Sequence, residues 1–471
     1  MMVSLLVGLP VVCGLAAYLM KEVGSRGFAL LVMAIQMGIA VSLMEGAEAA
    51  RRVHQVWIPE LGLNWSLALD GANVLLVLLT PLLCFLAVLA APRELENPAG
   101  LAGGILLLNG FLSGLFLAQN LGLFYLFFEA MLLPTLMLVS AYARKEGPET
   151  ALKFLMFTLV GSLPMLLGVL ILAYSPDVAA PNLDFESLQG KVPVHRQIYL
   201  FFPFLLAFLV KMPMVPFHGW LPSLYRNSPA CVTVIIAGLM SKAGTYGLMK
   251  VGLLVFPGAL NQLGPSLGIL AVITIIYGAL SALGSDSLRE ILAYSSLSHL
   301  GMIAFGLTSS TANGIAGATL QMAAHAVATG GLFLVVALLE RRHMPDRMRR
   351  FGGLAEFMPR LAALALFLTL ASLGQPGLGS FPGELMILTG TWPAQTLLTV
   401  LATLGIVLAA AYLLRWYQRV FTGPIGTYRE PQDLDSLETF VLLVPITVTL
   451  LIGFCPALFL TPIQTWLEGV L

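Results

Sequence analysis

Two acids, two lysines and three histidines stand where an apolar chain has little reason to keep them. Glu129 sits in LGLFYLFFEAMLLPTLML, Lys211 in FLVKMPMVPFHGWLP, Lys242 in IIAGLMSKAGTYGLMK and Glu384 in LASLGQPGLGSFPGELMILTG. His299 and His325 lie in LAYSSLSHLGMIAFG and LQMAAHAVATGGLFL, and His218 follows Lys211 closely. A lone charge in hydrocarbon is costly, so each must be paired, neutral or beside water. Carboxylate, amine and imidazole all exchange protons, and strung along one plane they suit proton hopping.

The basic residues sharpen that reading. Of 24 in the chain, 17 are Arg and 7 are Lys, yet the three inside apolar runs, Lys211, Lys242 and Lys250, are all Lys. Arginine cannot deprotonate in a protein, whereas a buried lysine can. Moving Glu129 from about 8 Å to about 4 Å from Lys211 would strengthen their attraction by about 2 kcal/mol at an effective dielectric of 20. That is enough to decide whether Lys211 holds or passes its proton. Structural alternatives stay open: a packing ion pair for Glu129, a snorkelling amine for Lys211, hydrogen-bonded packing for the histidines. Lys250, nearer the outer end of its run, reads as a snorkelling residue.

Local sequence says how the lysine and the acid would be presented. Pro213 and Pro216 remove backbone donors just past Lys211. Four glycines and two prolines precede Glu384. A broken helix at membrane depth is tolerated only when buried in protein or lining an aqueous cavity.

The elements carrying these residues are membrane spans. The chain of 471 residues is 58% hydrophobic and only 10% charged, with mean hydropathy +0.91, against about 25% charged in a soluble domain. Apolar runs long enough to cross about 30 Å of hydrocarbon fall near 2–20, 27–44, 73–91, 100–118, 120–142, 151–174, 198–217, 230–255, 266–283, 290–308, 313–339, 361–390, 397–414 and 438–461. The expectation is an all-α polytopic membrane protein of about fourteen helices. Helices 7 and 12 are then the discontinuous ones. Five-helix units covering spans 4–8 and 9–13 would be related by inversion, since an odd unit length flips orientation. The corresponding segments are 1–98 for the first three helices, 99–256 and 257–422 for the two repeats, and 423–471 for the last helix.

Orientation follows from the loops. With the N-terminus outside, 17 basic residues fall on the cytoplasmic side, Lys21, Arg144, Lys145, Arg226 and Arg289 among them. Only Arg51, Arg52, Lys191 and Arg196 fall outside. This positive-inside bias puts both termini on the outer side. The first run lacks a basic flank before it and reads as a span rather than a cleaved signal. A net charge of +0 gives no reason to expect nucleic acid. Cys13, Cys84, Cys231 and Cys455 are scattered in or beside apolar runs, which indicates neither a metal site nor a disulfide framework.

Together, FYLFFEAMLLPTLML, LVKMPMVPFHGWLP, AGLMSKAGTYGLMK, LAYSSLSHLGMIAFG and GSFPGE resemble the antiporter-like subunits of respiratory complex I, over about residues 70–420. An acid after the glycine-rich break resembles the subunit M type, because the L and N types carry lysine there. The resemblance implies fourteen core helices with two inverted repeats and an outward proton path. It implies a Glu–Lys pair at Glu129 and Lys211, a central lysine at Lys242 and an exit-side acid at Glu384. His299, His325 and His218 are relay candidates. It further implies NADH:quinone oxidoreductase partners, including subunits L and N, with FMN, iron–sulfur clusters and the quinone site on other chains. One departure stands out: after WLP the family usually continues with an acid, a histidine and Glu-Ala-Pro, whereas here SLYRNSPACVT puts Arg226 and Asn227 there. The rival readings are a subunit of a multi-subunit cation/proton antiporter and a subunit of a membrane-bound hydrogenase complex. The preference for Arg over Lys, with high Ala, Leu and Gly content, suggests a GC-rich bacterial source and hence a bacterial inner membrane.

Overall fold

Hydrocarbon leaves a backbone few ways to satisfy its N–H and C=O groups, and this chain takes the helical one. The computed structural model describes residues 2–20, 24–143, 146–175 and 181–471. Lys21, Arg144 and Lys145, used above for orientation, lie outside the described residues.

Among the described residues, eleven helical segments are long and apolar enough to cross a membrane: Met2–Leu19, Ser25–Glu45, Pro98–Leu117, Leu121–Tyr142, Gly147–Ala173, Val194–Lys211, Ala230–Leu254, Pro257–Gly284, Ala312–Arg341, Thr396–Phe421 and Ser436–Phe454. Val74–Ala90 and Pro359–Ser372 are shorter apolar helices. Leu288–Leu307 is a helix of 20 residues that carries the polar run SSLSH and is buried along nearly its whole length.

Burial grades these helices from centre to rim. Ala230–Leu254 is wholly enclosed and Ala312–Arg341 is enclosed along all but its ends, while Met2–Leu19, Ser25–Glu45 and Thr396–Phe421 bury only about a third of their residues. The apolar outer faces of the rim helices suit lipid or a neighbouring chain. Central packing depends on small residues. A Cβ on Gly317 would lie 2.9 Å from the Gly383 carbonyl, so Ala312–Arg341 runs almost backbone to backbone with Ser380–Thr391.

The expectation of an all-α chain needs one correction. Arg52–Ile58 and Leu63–Ala68 form a two-stranded antiparallel sheet, with Arg52 opposite Ala68 and Val56 opposite Asn64. Isolated hairpins are marginal in water. Here one strand is largely buried, and Gln119 N–H donates to the Ser66 carbonyl at 2.8 Å, tying the sheet to the helices beneath.

Four interruptions shape the interior. The helix from Val194 ends at Lys211; residues 212–220 are turns, followed by the short helix Leu221–Asn227. Pro359–Ser372 and Ser380–Thr391 are separated by residues 373–379. Those two breaks fall where proline and glycine place them. Two others went unread in the sequence. Leu121–Ala130 gives way to Leu132–Tyr142 at Met131, where Pro134 removes the donor that would reach the Ala130 carbonyl. Ala230–Ile235 passes through a π-helical turn, Ile236–Met240, before Lys242–Leu254.

Candidate functional site

Lys242 is fully buried. Its ammonium reaches back along its own helix, as helical side chains do, and donates to the Ala237 carbonyl at 2.7 Å and to Ser241 Oγ at 3.3 Å. The π turn spreads the backbone here, and such turns recur at functional positions in other proteins. The third contact is His325 Nδ1, 2.6 Å away. All three donors of an ammonium are thereby satisfied, provided His325 is neutral with its proton on Nε2.

From His325 the polar groups continue. Its ring centroid lies 5.3 Å from that of His299. His299 Nδ1 is 3.5 Å from Glu384 Oε1, and Gln321 Nε2 donates to the same oxygen at 3.1 Å. Gln321 and His325 stand four residues apart on Ala312–Arg341 and so share a face. Ser295 and His299 share a face of Leu288–Leu307 in the same way, with Tyr412 donating to Ser295 Oγ at 3.0 Å. Gly374, at φ +73°, closes over the acid: a Cβ there would lie 2.4 Å from Glu384 Oε2.

Nε2 of both histidines and Oε1 of Gln321 are buried without a hydrogen-bond partner. Buried polar atoms are normally satisfied by protein or water, so the two imidazoles keep their free nitrogens for each other or for a bridging water. The chemistry available is a proton handed from Lys242 Nζ to His325 Nδ1, across to His299, and from His299 Nδ1 to Glu384 Oε1.

Glu129 and Lys211 are arranged differently. The Lys211 amine is buried with no hydrogen-bond partner and lies over the Phe128 ring at 5.0 Å and the Phe154 ring at 5.5 Å. Glu129 follows Phe128 in sequence and lies near Lys211, and its buried Oε1 also lacks a hydrogen-bond partner. The two are neighbours held apart, with aromatic faces cushioning the cation.

The remaining candidates lie elsewhere. His218 sits in the turn after Lys211, its ring edge-on to Tyr277 at 4.8 Å, and lines a cleft of about 290 Å³ with Lys153, Glu146 and Tyr294. It does not join the series from Lys242 to Glu384. Lys250 does not snorkel. Its amine is buried, 2.6 Å from Asp70 Oδ2, and lies 5.5 Å from the Trp466 ring centroid. The partner sits 180 residues away, which is why the sequence left the amine looking unpaired. Arg289, counted above as a loop cation, is likewise buried and pairs with Glu340 at 2.8 Å. Arg226 meets Glu290 at 3.0 Å, and Asn227 donates to Thr150 Oγ1. Sequence reasoning missed Gln321, Ser241 and Asp70. A glutamine four residues from His325 was the one available signal. Among the described residues, no group of three or more His, Cys, Asp or Glu could hold a metal ion.

Fold and site together define a class: a polytopic helical membrane protein with a line of ionisable groups enclosed in its bundle. The chain belongs to the NADH:quinone oxidoreductase/Mrp antiporter transmembrane family, whose sequence profile matches residues 118–409. It is 36% identical over 413 residues to NADH-quinone oxidoreductase subunit M of Escherichia coli (strain K12), covering 85% of this chain and 81% of that one. It superposes on a chain of respiratory complex I from Thermus thermophilus with bound NADH at TM-score 0.91 and 33% identity, over 99% of this chain and 98% of the other. A chain of the Mrp complex from Dietzia sp. shares the fold at TM-score 0.87 and 21% identity, over 99% and 97% of the two chains.

Proposed function

We propose that this chain is a proton-translocating membrane subunit of an NADH:quinone oxidoreductase, of the subunit M type. The observation that carries the proton path is the buried series Lys242–His325–His299–Glu384, with a 2.6 Å contact at one end and a 3.5 Å contact at the other. Glu129 and Lys211 form the controlling pair. When their separation shrinks, Lys211 holds its proton; when it grows, the proton is released toward Lys242. Glu384 delivers to the outer side, and His218 serves the cytoplasmic approach to Lys211.

The architecture that goes with this reading has fourteen spans. It counts the eleven long helices, Val74–Ala90, Leu288–Leu307, and the broken pair Pro359–Ser372 and Ser380–Thr391 taken as one. Residues 99–256 and 257–422 make the two inverted repeats, flanked by 1–98 and 423–471. The breaks beside Lys211 and Glu384 support that pairing. Both termini face the periplasm of a bacterial inner membrane. FMN, iron–sulfur clusters and the quinone site belong to partner subunits, and the lateral neighbours are subunits L and N.

The test is purification of the tagged chain in mild detergent, identification of co-purifying chains, and reconstitution in vesicles. Flavin and iron–sulfur subunits with NADH-driven proton uptake support the reading. Co-purification with membrane subunits alone, together with cation/proton exchange and no redox activity, would replace it with a multi-subunit antiporter. Hydrogenase subunits in place of the NADH-oxidising ones would make it part of a membrane-bound hydrogenase.

A further inference from the structure

A second set of buried hydroxyls adjoins Lys242 on the side away from Glu384. Tyr225 is fully buried, its ring edge-on to Phe333 at 5.4 Å, and its hydroxyl lies beside Ser241 and Ser296 without a well-formed hydrogen bond. Ser296 Oγ is equally buried and unpartnered. Ser241 Oγ donates to the Ala237 carbonyl at 2.8 Å and accepts from Lys242. Hydroxyls closed off from solvent are rarely left unsatisfied, and neighbouring buried hydroxyls of this kind are what an enclosed water bridges.

This cluster lies close to an open cleft. The residues after Tyr225, Arg226 and Asn227, line a cavity of about 630 Å³ together with Glu290, Asp286, Asp346 and Arg347. Glu290 and Ser296 are on one helix, six residues apart, which places Ser296 about 9 Å deeper along the axis. His299 follows one turn further in, on the same helix.

We propose that Tyr225, Ser296 and Ser241 hold a water that loads protons onto Lys242 from this cleft, by a branch parallel to the route through Lys211. Each step conserves protons. Lys242, made neutral by delivery to His325, takes the Ser241 hydroxyl proton once that hydroxyl turns from the Ala237 carbonyl. The water replaces it, Tyr225 replaces the water's, and a proton entering the cleft from bulk solvent replaces that of Tyr225. In this scheme Tyr225 passes the proton in and Ser296 is a positioning residue that holds the water.

The proposal rests on the relay reading of Lys242, so its test carries a control for that reading. Tyr225→Phe, Ser296→Ala and Lys242→Ala are placed in the full complex in vesicles, with each variant's assembly checked by its subunit content. Tyr225→Phe keeps the ring against Phe333 and removes only the hydroxyl. We expect kcat for NADH-driven proton uptake to fall about fivefold, the weight of one hydrogen bond. The quinone KM should hold, and the solvent deuterium isotope effect on kcat should rise. Ser296→Ala should move the same quantities in the same direction, and it decides the matter if Tyr225→Phe does not assemble. Unchanged kcat and isotope effect in these variants, with pumping lost in Lys242→Ala, would overturn the hydroxyl branch and leave the relay standing. Pumping retained in Lys242→Ala would remove both.

Discussion

The two charged regions of the bundle interior hold their lysines in opposite ways. Lys242 has an acceptor for each of its three ammonium protons, and a series of side chains leads from it to Glu384. Lys211 has no hydrogen-bond acceptor and rests against two aromatic rings, with an under-satisfied carboxylate nearby. A fully hydrogen-bonded ammonium in a low dielectric is held in one place, whereas an unsatisfied charge responds strongly to small shifts of its neighbours. The first arrangement suits conduction and the second suits switching.

That contrast can be broken at the Lys242 end first. His325→Ala removes the acceptor of the 2.6 Å contact and interrupts the series; proton translocation per electron should fall by about tenfold or more, measured in vesicles beside an unchanged rate of NADH oxidation by an artificial acceptor. Equal proton yield would show that the series is not the path. Gly374→Ala comes next. Its Cβ would lie 2.4 Å from Glu384 Oε2 at a left-handed φ of +73°, so the acid must move or the loop must distort, at a cost on the order of 1–3 kcal/mol. We expect about a fivefold loss of pumping, with Gly374→Ala plus Glu384→Gln no worse than Glu384→Gln alone.

The Lys211 end should respond more gently. Glu129→Gln keeps the shape and removes the carboxyl group beside Lys211. With no direct hydrogen bond to break, pumping should drop about threefold, less than one well-made charged hydrogen bond would account for. An undiminished yield would count against Glu129 as the controlling group.

The smallest effect lies outside the membrane interior and serves as the control. Asp435 caps Ser436–Phe454 in a reciprocal box with Glu438 and pairs with Arg93. The Glu438 backbone N–H, and after it the Arg93 guanidinium, hold the Asp435 carboxyl below the usual carboxylate range. A depressed folded-state value stabilises the fold above the unfolded one, and that contribution fades as pH falls through the folded value. Asp435→Ala should lower stability by about 1 kcal/mol at neutral pH, less in acid, and leave proton yield unchanged. Thermal unfolding of the membrane arm at two pH values reads the first effect; the vesicle assay reads the second.

Much of this was already in the sequence. Hydropathy placed the long apolar helices because a membrane asks for long apolar runs, and Lys211, Lys242, Glu129 and Glu384 stood out because ionisable groups are expensive there. Proline and glycine announced the breaks beside Lys211 and Glu384. Periodicity could not announce the break at Met131 or the π turn before Lys242, since neither disturbs the apolar pattern.

Partnership was decided by tertiary structure alone. Lys250 reads as a snorkelling amine until Asp70 arrives from 180 residues away. Lys242, His325, His299 and Glu384 come from four separate helices, and only packing through small residues such as Gly317 brings the last three together. Single positions in a chain determine which groups can carry a proton. Whether one group can pass it to the next depends on distances of a few ångströms between helices, which no local pattern encodes.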